Sequence, residues 1–164
     1  MMKRVHIVGR KNHGKTRLIV ELIEELARRG IRVGVVKHSA HRHELDRPGK
    51  DSYRQRKAGA DPVAVVTAEL IGIYLGREAG EDFYRKLAPL FGHCQLVLVE
   101  GHIDAEGPKV EVWRHGRGDP PLAAMRSDIA AVVSDDRPEV TVPVWPRSQL
   151  AFVAEQLWGL VDAP

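Results

Sequence analysis

The stretch VHIVGRKNHGKTRLIVELI, Val5 to Ile23, restricts what this chain can fold into more than any other segment. Lys3 to Val8 is a short β-branched apolar run and reads as a buried strand. Gly9 to Thr16 follow with the spacing Gly-x-x-x-x-Gly-Lys-Thr. Leu18, Leu22 and Leu26 then recur at helical steps with Ile19 and Ile23 beside them, and Arg28, Arg29 and Gly30 supply a cationic last turn and a stop. Glycines between a strand and a helix let main-chain N–H groups turn inward onto phosphate oxygens, at the positive end of the helix dipole. Lys15 would neutralise the outer phosphates, and the Thr16 hydroxyl can ligate Mg²⁺. Ile31 to Val36 makes a second strand. Strand, helix and strand form a βαβ unit, which implies a parallel sheet with a right-handed crossover.

The rest of the chain continues the alternation. His38 to Lys50 is polar, rich in histidine and broken by Pro48-Gly49, so it reads as a long loop, and loops of that kind are more often functional than passive. Asp51 can cap a short helix, DSYRQRKA, that stops at Gly59. Val63 to Thr67 offers a third strand, and Glu69 to Gly76 is ambiguous. Glu78 to Phe91 has helical spacing, with Phe83, Leu87 and Leu90 on one side and Pro89 limiting its end. QLVLV, Gln95 to Val99, is a further buried strand leading into Glu100-Gly101-His102. KVEVW, Lys109 to Trp113, alternates like a strand with one solvated face. Ile129 to Ser134 and Val142 to Trp145 are late strands, and Ser148 to Val161 closes the chain as a helix. The order argues a single domain over residues 1–164, an α/β three-layer sandwich of the phosphate-loop NTPase kind. Its sheet is expected to be mostly parallel, with an antiparallel addition near Lys109 to Trp113.

Composition narrows the functional classes. With 43% hydrophobic and 29% charged residues, the 164-residue chain is globular rather than disordered. Its net charge of +3 is spread with acids interleaved, a weak case for nucleic acid, which needs a concentrated basic stripe. No apolar run approaches the about 18 residues of a membrane helix and the start turns polar too soon for a signal peptide, so a cytoplasmic protein is expected. One cysteine, Cys94, excludes an internal disulfide and any multi-cysteine metal site.

A nucleotide site needs an acid for its metal, placed at the carboxyl end of a strand near the phosphate loop. Glu100, closing QLVLV, is the best candidate; Asp51, Asp46 and Asp104 are weaker, and Asp51 serves equally well as a helix cap. His38, His41 and His43, with Glu44 and Asp46, raise a transition-metal reading, yet the loop has no regular ligand frame. Lys37 and His38 leave the second strand where contacts to nucleotide or substrate are plausible. No Asn-Lys-x-Asp guanine motif is present, although Asp135 or Asp136 could accept the hydrogen bonds of guanine.

Taken in order, GRKNHGKT, GIRVGVVKH (Gly30 to His38), DRPGKDSYRQRKAGAD (Asp46 to Asp61), LVLVEG (Leu96 to Gly101), PKVEVWR (Pro108 to Arg114) and AAVVSDD resemble the MobB family of accessory proteins in molybdopterin-guanine dinucleotide biosynthesis. The resemblance implies a homodimer that binds GTP with Mg²⁺, hydrolyses it slowly, and assists the molybdenum cofactor guanylyltransferase that attaches GMP to molybdopterin. It implies that Gly9, Arg10, Lys11, Asn12, His13, Gly14, Lys15 and Thr16 hold the phosphates, and the adjacent Arg17 is counted with this nucleotide-binding set. Thr16 and Glu100 fall on the metal side, and Lys15, Glu100 and Asp51 are the groups expected to act in turnover, Asp51 in response to nucleotide or on a pterin phosphate. His13 stands at a loop position that is usually small, Arg17 replaces a second threonine, and His102 replaces an aromatic residue after Glu-Gly. Two other readings stay open: a small-molecule kinase, with Arg77 and Arg85 on a lid, and a metal-delivery GTPase using the histidine loop.

Overall fold

The computed structural model describes residues 2–41, 43–78, 80 and 82–162. The chain forms two compact units, Met1–Ala40 with Leu87–Pro164, and His41–Lys86.

The first unit holds a six-stranded sheet: β1 (Arg4–Val8), β2 (Val33–Lys37), β5 (Leu96–Glu100), β6 (Lys109–Val112), β7 (Ala131–Val133) and β8 (Val144–Trp145), in the spatial order β2-β5-β1-β6-β7-β8. Every pairing is parallel. Alternation along β1 sends Val5 and Ile7 to one face, where Leu18, Leu22 and Leu26 of α1 (Lys15–Arg28) and Val153, Ala154 and Leu157 of α4 (Leu150–Asp162) cover them. Val8 points to the other face, into a smaller cluster with Trp113, Ala123, Ile129 and Val132. Fully burying each such aliphatic side chain stabilises the fold by roughly 1.5–3 kcal/mol. No helix among the described residues is long and apolar enough to cross a membrane.

The second unit carries α2 (Asp51–Lys57) and an antiparallel pair, β3 (Val63–Val66) with β4 (Ile71–Tyr74), joined at a turn in which the Thr67 hydroxyl donates to Leu70 O at 3.1 Å. The ambiguous segment Glu69 to Gly76 thus contains a strand. The helix expected over Glu78 to Phe91 is shorter: α3 spans Phe83–Leu87, and Ala88–Phe91 is a 3₁₀ turn with Pro89 near its start. Residues 79 and 81 of that range lie outside the described residues.

One expectation is corrected. The antiparallel addition is the β3–β4 pair, whereas the expected Lys109 to Trp113 strand is β6, Lys109–Val112, inside the parallel sheet. Its alternating charges imitate a solvated face, but both are buried and partnered. The Lys109 ammonium lies 3.1 Å from Asp128 Oδ2, and the Glu111 carboxylate accepts the N–H groups of Leu122 (2.8 Å) and Ala123 (2.9 Å).

Candidate functional site

The phosphate-type loop forms at the carboxyl end of β1, where its fixed residues are required by geometry. Gly9 has φ +133°, and a Cβ there would stand 2.5 Å from the carbonyl oxygen of Val112 in β6, so no other residue fits without moving the strand. Gly14 has φ +99° and opens α1 without a side-chain cap, and the first turn of α1 carries no acid. The unclaimed N–H groups and dipole of that helix end are available to an anion.

Lys15, Thr16 and Glu100 meet here. The sheet register sets Glu100 of β5 beside Ile7 of β1 and Lys37 of β2. From that position its Oε1 accepts a hydrogen bond from Thr16 Oγ1 at 2.7 Å, and Lys37 Nζ stands 3.7 Å away. A hydroxyl and a carboxylate in contact, both hard oxygen donors, are the set a magnesium ion takes alongside phosphate oxygens and water. The Lys15 ammonium folds back to donate to Gly9 O (2.8 Å) and Arg10 O (2.7 Å), and phosphate oxygens would compete with these carbonyls for it. Burial holds Lys15 below the ordinary lysine range; Glu100 opposes that shift and Lys37 adds to it. A pocket of about 400 Å³ is lined by Lys11, Asn12, Gly14, Lys15, Thr16, Arg17 and Glu100. The residues present therefore fit a magnesium-bound polyphosphate.

Three members of the expected set play other parts with their side chains. The His13 ring is fully buried beneath the loop and accepts the Arg114 N–H on Nδ1 at 3.1 Å, tying the loop to the end of β6. Arg10 turns toward Asp119, 3.8 Å away. Arg17 is largely exposed and pairs with Glu21 at 2.9 Å. Asp51 is exposed and is the first residue of α2 in the second unit, where Lys50 and not Asp51 takes the N-cap position.

The other candidates find structural explanations. Asp135 Oδ1 accepts the N–H and the hydroxyl of Ser148, both at 2.8 Å, and Asp136 Oδ2 accepts the His115 N–H at 2.8 Å, so each acid that could read guanine holds main chain. His38 stacks on His102 with ring centres 4.0 Å apart, and His6 meets His102 edge-on at 6.1 Å. Among the described residues no group of three histidines, cysteines or acids is placed to hold a metal ion. Arg77, a lid candidate in the kinase reading, lies over the Phe83 ring at 4.6 Å. A residue missed from sequence is Arg114, whose guanidinium lies against Gly14. Its signal, the carboxyl end of a strand adjacent to β1, exists only once the strand order is known.

The family model of molybdopterin guanine dinucleotide synthesis protein B matches residues 4–135. The molybdopterin-guanine dinucleotide biosynthesis adapter protein of Escherichia coli is 36% identical over 126 residues, which cover 74% of this chain and 72% of that protein. The Haemophilus influenzae adapter protein is 38% identical over 112 residues, 66% of this chain and 61% of its own length. The crystal structure of a MobB homolog from Bacillus stearothermophilus superposes over 99% of this chain and 100% of that one, with a TM-score of 0.69 and 27% identity. A family match over most of the chain, around a loop, helix end and acid that assemble as such a site requires, shows that this protein belongs to the MobB family.

Proposed function

We propose that the chain is an adapter in molybdenum cofactor maturation that binds GTP with Mg²⁺ and supports the guanylyltransferase attaching GMP to molybdopterin. The observation that carries this reading is the 2.7 Å contact of Thr16 with Glu100 beside the uncapped start of α1 and Lys15. Thr16 and Glu100 would hold the ion, which supplies charge neutralisation along the phosphate chain. Lys15 would leave the Gly9 and Arg10 carbonyls to neutralise the outer phosphates, and the backbone of Gly9 to Thr16 would orient them. Asp51 would respond to nucleotide or to a pterin phosphate. Hydrolysis would be slow, as the family resemblance implies. The adapter names carried by the relatives support the partner assignment.

A homodimer in the cytoplasm completes the proposal. Its support is the β3–β4 hairpin, which exposes Val66, Leu70 and Ile71 at about 70% each. Exposed apolar surface of this kind marks an interaction site.

The test is calorimetric titration of GTP and ATP, each with Mg²⁺, into the wild type and Lys15→Ala. Binding of GTP alone that falls at least 100-fold in the variant, with unfolding unchanged, supports the reading; equal binding of ATP removes the base assignment, and unaltered affinity in the variant removes the site. Reconstitution with guanylyltransferase and molybdopterin, in which the wild type raises dinucleotide yield and the variant does not, tests the adapter role.

A further inference from the structure

Arg114 follows β6 in extended conformation, on the side of β1 opposite Glu100. Its guanidinium packs on the glycine that opens α1: Nη2, Cζ and Nε lie 2.9, 3.2 and 3.5 Å from the point where a Gly14 Cβ would stand. Any side chain at position 14 would displace it, so this glycine serves both the turn and the arginine. The placement is anchored from behind, because the Arg114 N–H is held by the buried ring of His13.

Arg10 faces Asp119 and Arg17 pairs with Glu21, whereas among the described residues no carboxylate lies within ion-pair reach of Arg114. An exposed guanidinium resting on an anion-type loop, with no counter-charge among the described residues, is matched in shape and charge to phosphate oxygens, which it can bind through two parallel N–H donors.

We propose that Arg114 is a phosphate-binding residue, donating from the β6 side of the loop to the polyphosphate of the bound nucleotide. This rests on the nucleotide reading above. The loop would then hold its ligand from three directions: main-chain amides and Lys15 from the loop and α1, Thr16 with Glu100 from the β5 side, and Arg114 from the β6 side.

The test is competition against a fluorescent GTP analogue by GTP and by inorganic tripolyphosphate, for wild type, Arg114→Ala, Arg114→Lys and Lys15→Ala. Arg114→Ala is expected to weaken GTP and tripolyphosphate alike by about tenfold, with an unchanged unfolding midpoint, as suits an exposed side chain and the loss of one charge-assisted hydrogen bond. Arg114→Lys should recover part of the loss, because the charge returns without the fork; a role in folding alone would not produce that partial rescue. GTP affinity unchanged in Arg114→Ala but lost in Lys15→Ala overturns this inference and leaves the site standing. Loss of GTP binding with tripolyphosphate unaffected, or no competition by tripolyphosphate even in the wild type, overturns the phosphate assignment. Affinity unchanged in both Ala variants overturns the nucleotide reading itself.

Discussion

Val97, Leu98 and Val99 in β5 and Val65, Val66, Ile71 and Ile73 in the β3–β4 hairpin are similar residues on extended backbone, yet the first three are at most 1% exposed and the others 41–69%. β5 lies between β2 and β1. It is a central parallel strand, and such strands are covered on both faces. The hairpin pairs only with itself within its sheet. Two-stranded sheets are marginal by themselves, and apolar side chains left in water contribute little to folding. The same residue types thus hold the fold together in one region and are available for association in the other.

Substitutions can break or sharpen this contrast. Leu98→Ala should have the largest effect, destabilising the chain by about 3 kcal/mol in denaturant unfolding, since the cavity forms in a core that cannot collapse. Next comes Glu111→Leu, which strands the N–H groups of Leu122 and Ala123 and should cost about 2 kcal/mol by the same measurement. A value near zero would mean that the turn after β6 holds without this carboxylate.

A smaller effect depends on pH. Burial, with Arg4, His102 and Lys109 nearby, pushes His6 down to about 4 from 6.5, against a hydrogen bond to Gly101 that raises it. The folded protein keeps this ring neutral where the unfolded chain protonates it, so its contribution to stability is complete above pH 6.5 and is lost as pH falls toward 4. Unfolding midpoints of the wild type and His6→Gln across pH 4 to 7 should differ in slope, the variant being flatter.

The smallest effect on stability belongs to Ile71→Ser. In dilute protein it should shift unfolding by no more than about 0.5 kcal/mol. In sedimentation at high concentration, however, it should weaken self-association. A cost like that of Leu98→Ala would show that the hairpin is buried in the working protein, and unaltered association would remove it as the proposed dimer surface.

The parts of the site legible in sequence were those that a few consecutive residues define. Gly9, Gly14, Lys15 and Thr16 carry the loop because its turn is local, and Glu100 stands out as a candidate because an acid ending an apolar strand has few structural excuses. Sequence spacing misled in β6, where Lys109 and Glu111 alternate with valines as exposed residues would. Their partners Asp128, Leu122 and Ala123 come from later segments, invisible to a period-two pattern. β4 was illegible for a different reason, because a strand with almost no buried face leaves no alternation to read.

The sequence by itself determined the βαβ start, the phosphate-type loop and the family, since these depend on backbone conformations and residue types set within short stretches. Tertiary structure alone decided that Thr16 touches Glu100, that His13 turns under the loop and that Arg114 rests on Gly14. The first contact crosses 84 positions and the His13–Arg114 hydrogen bond 101. Such contacts follow from strand order, which hydrophobic burial of the whole sheet selects and no local pattern encodes.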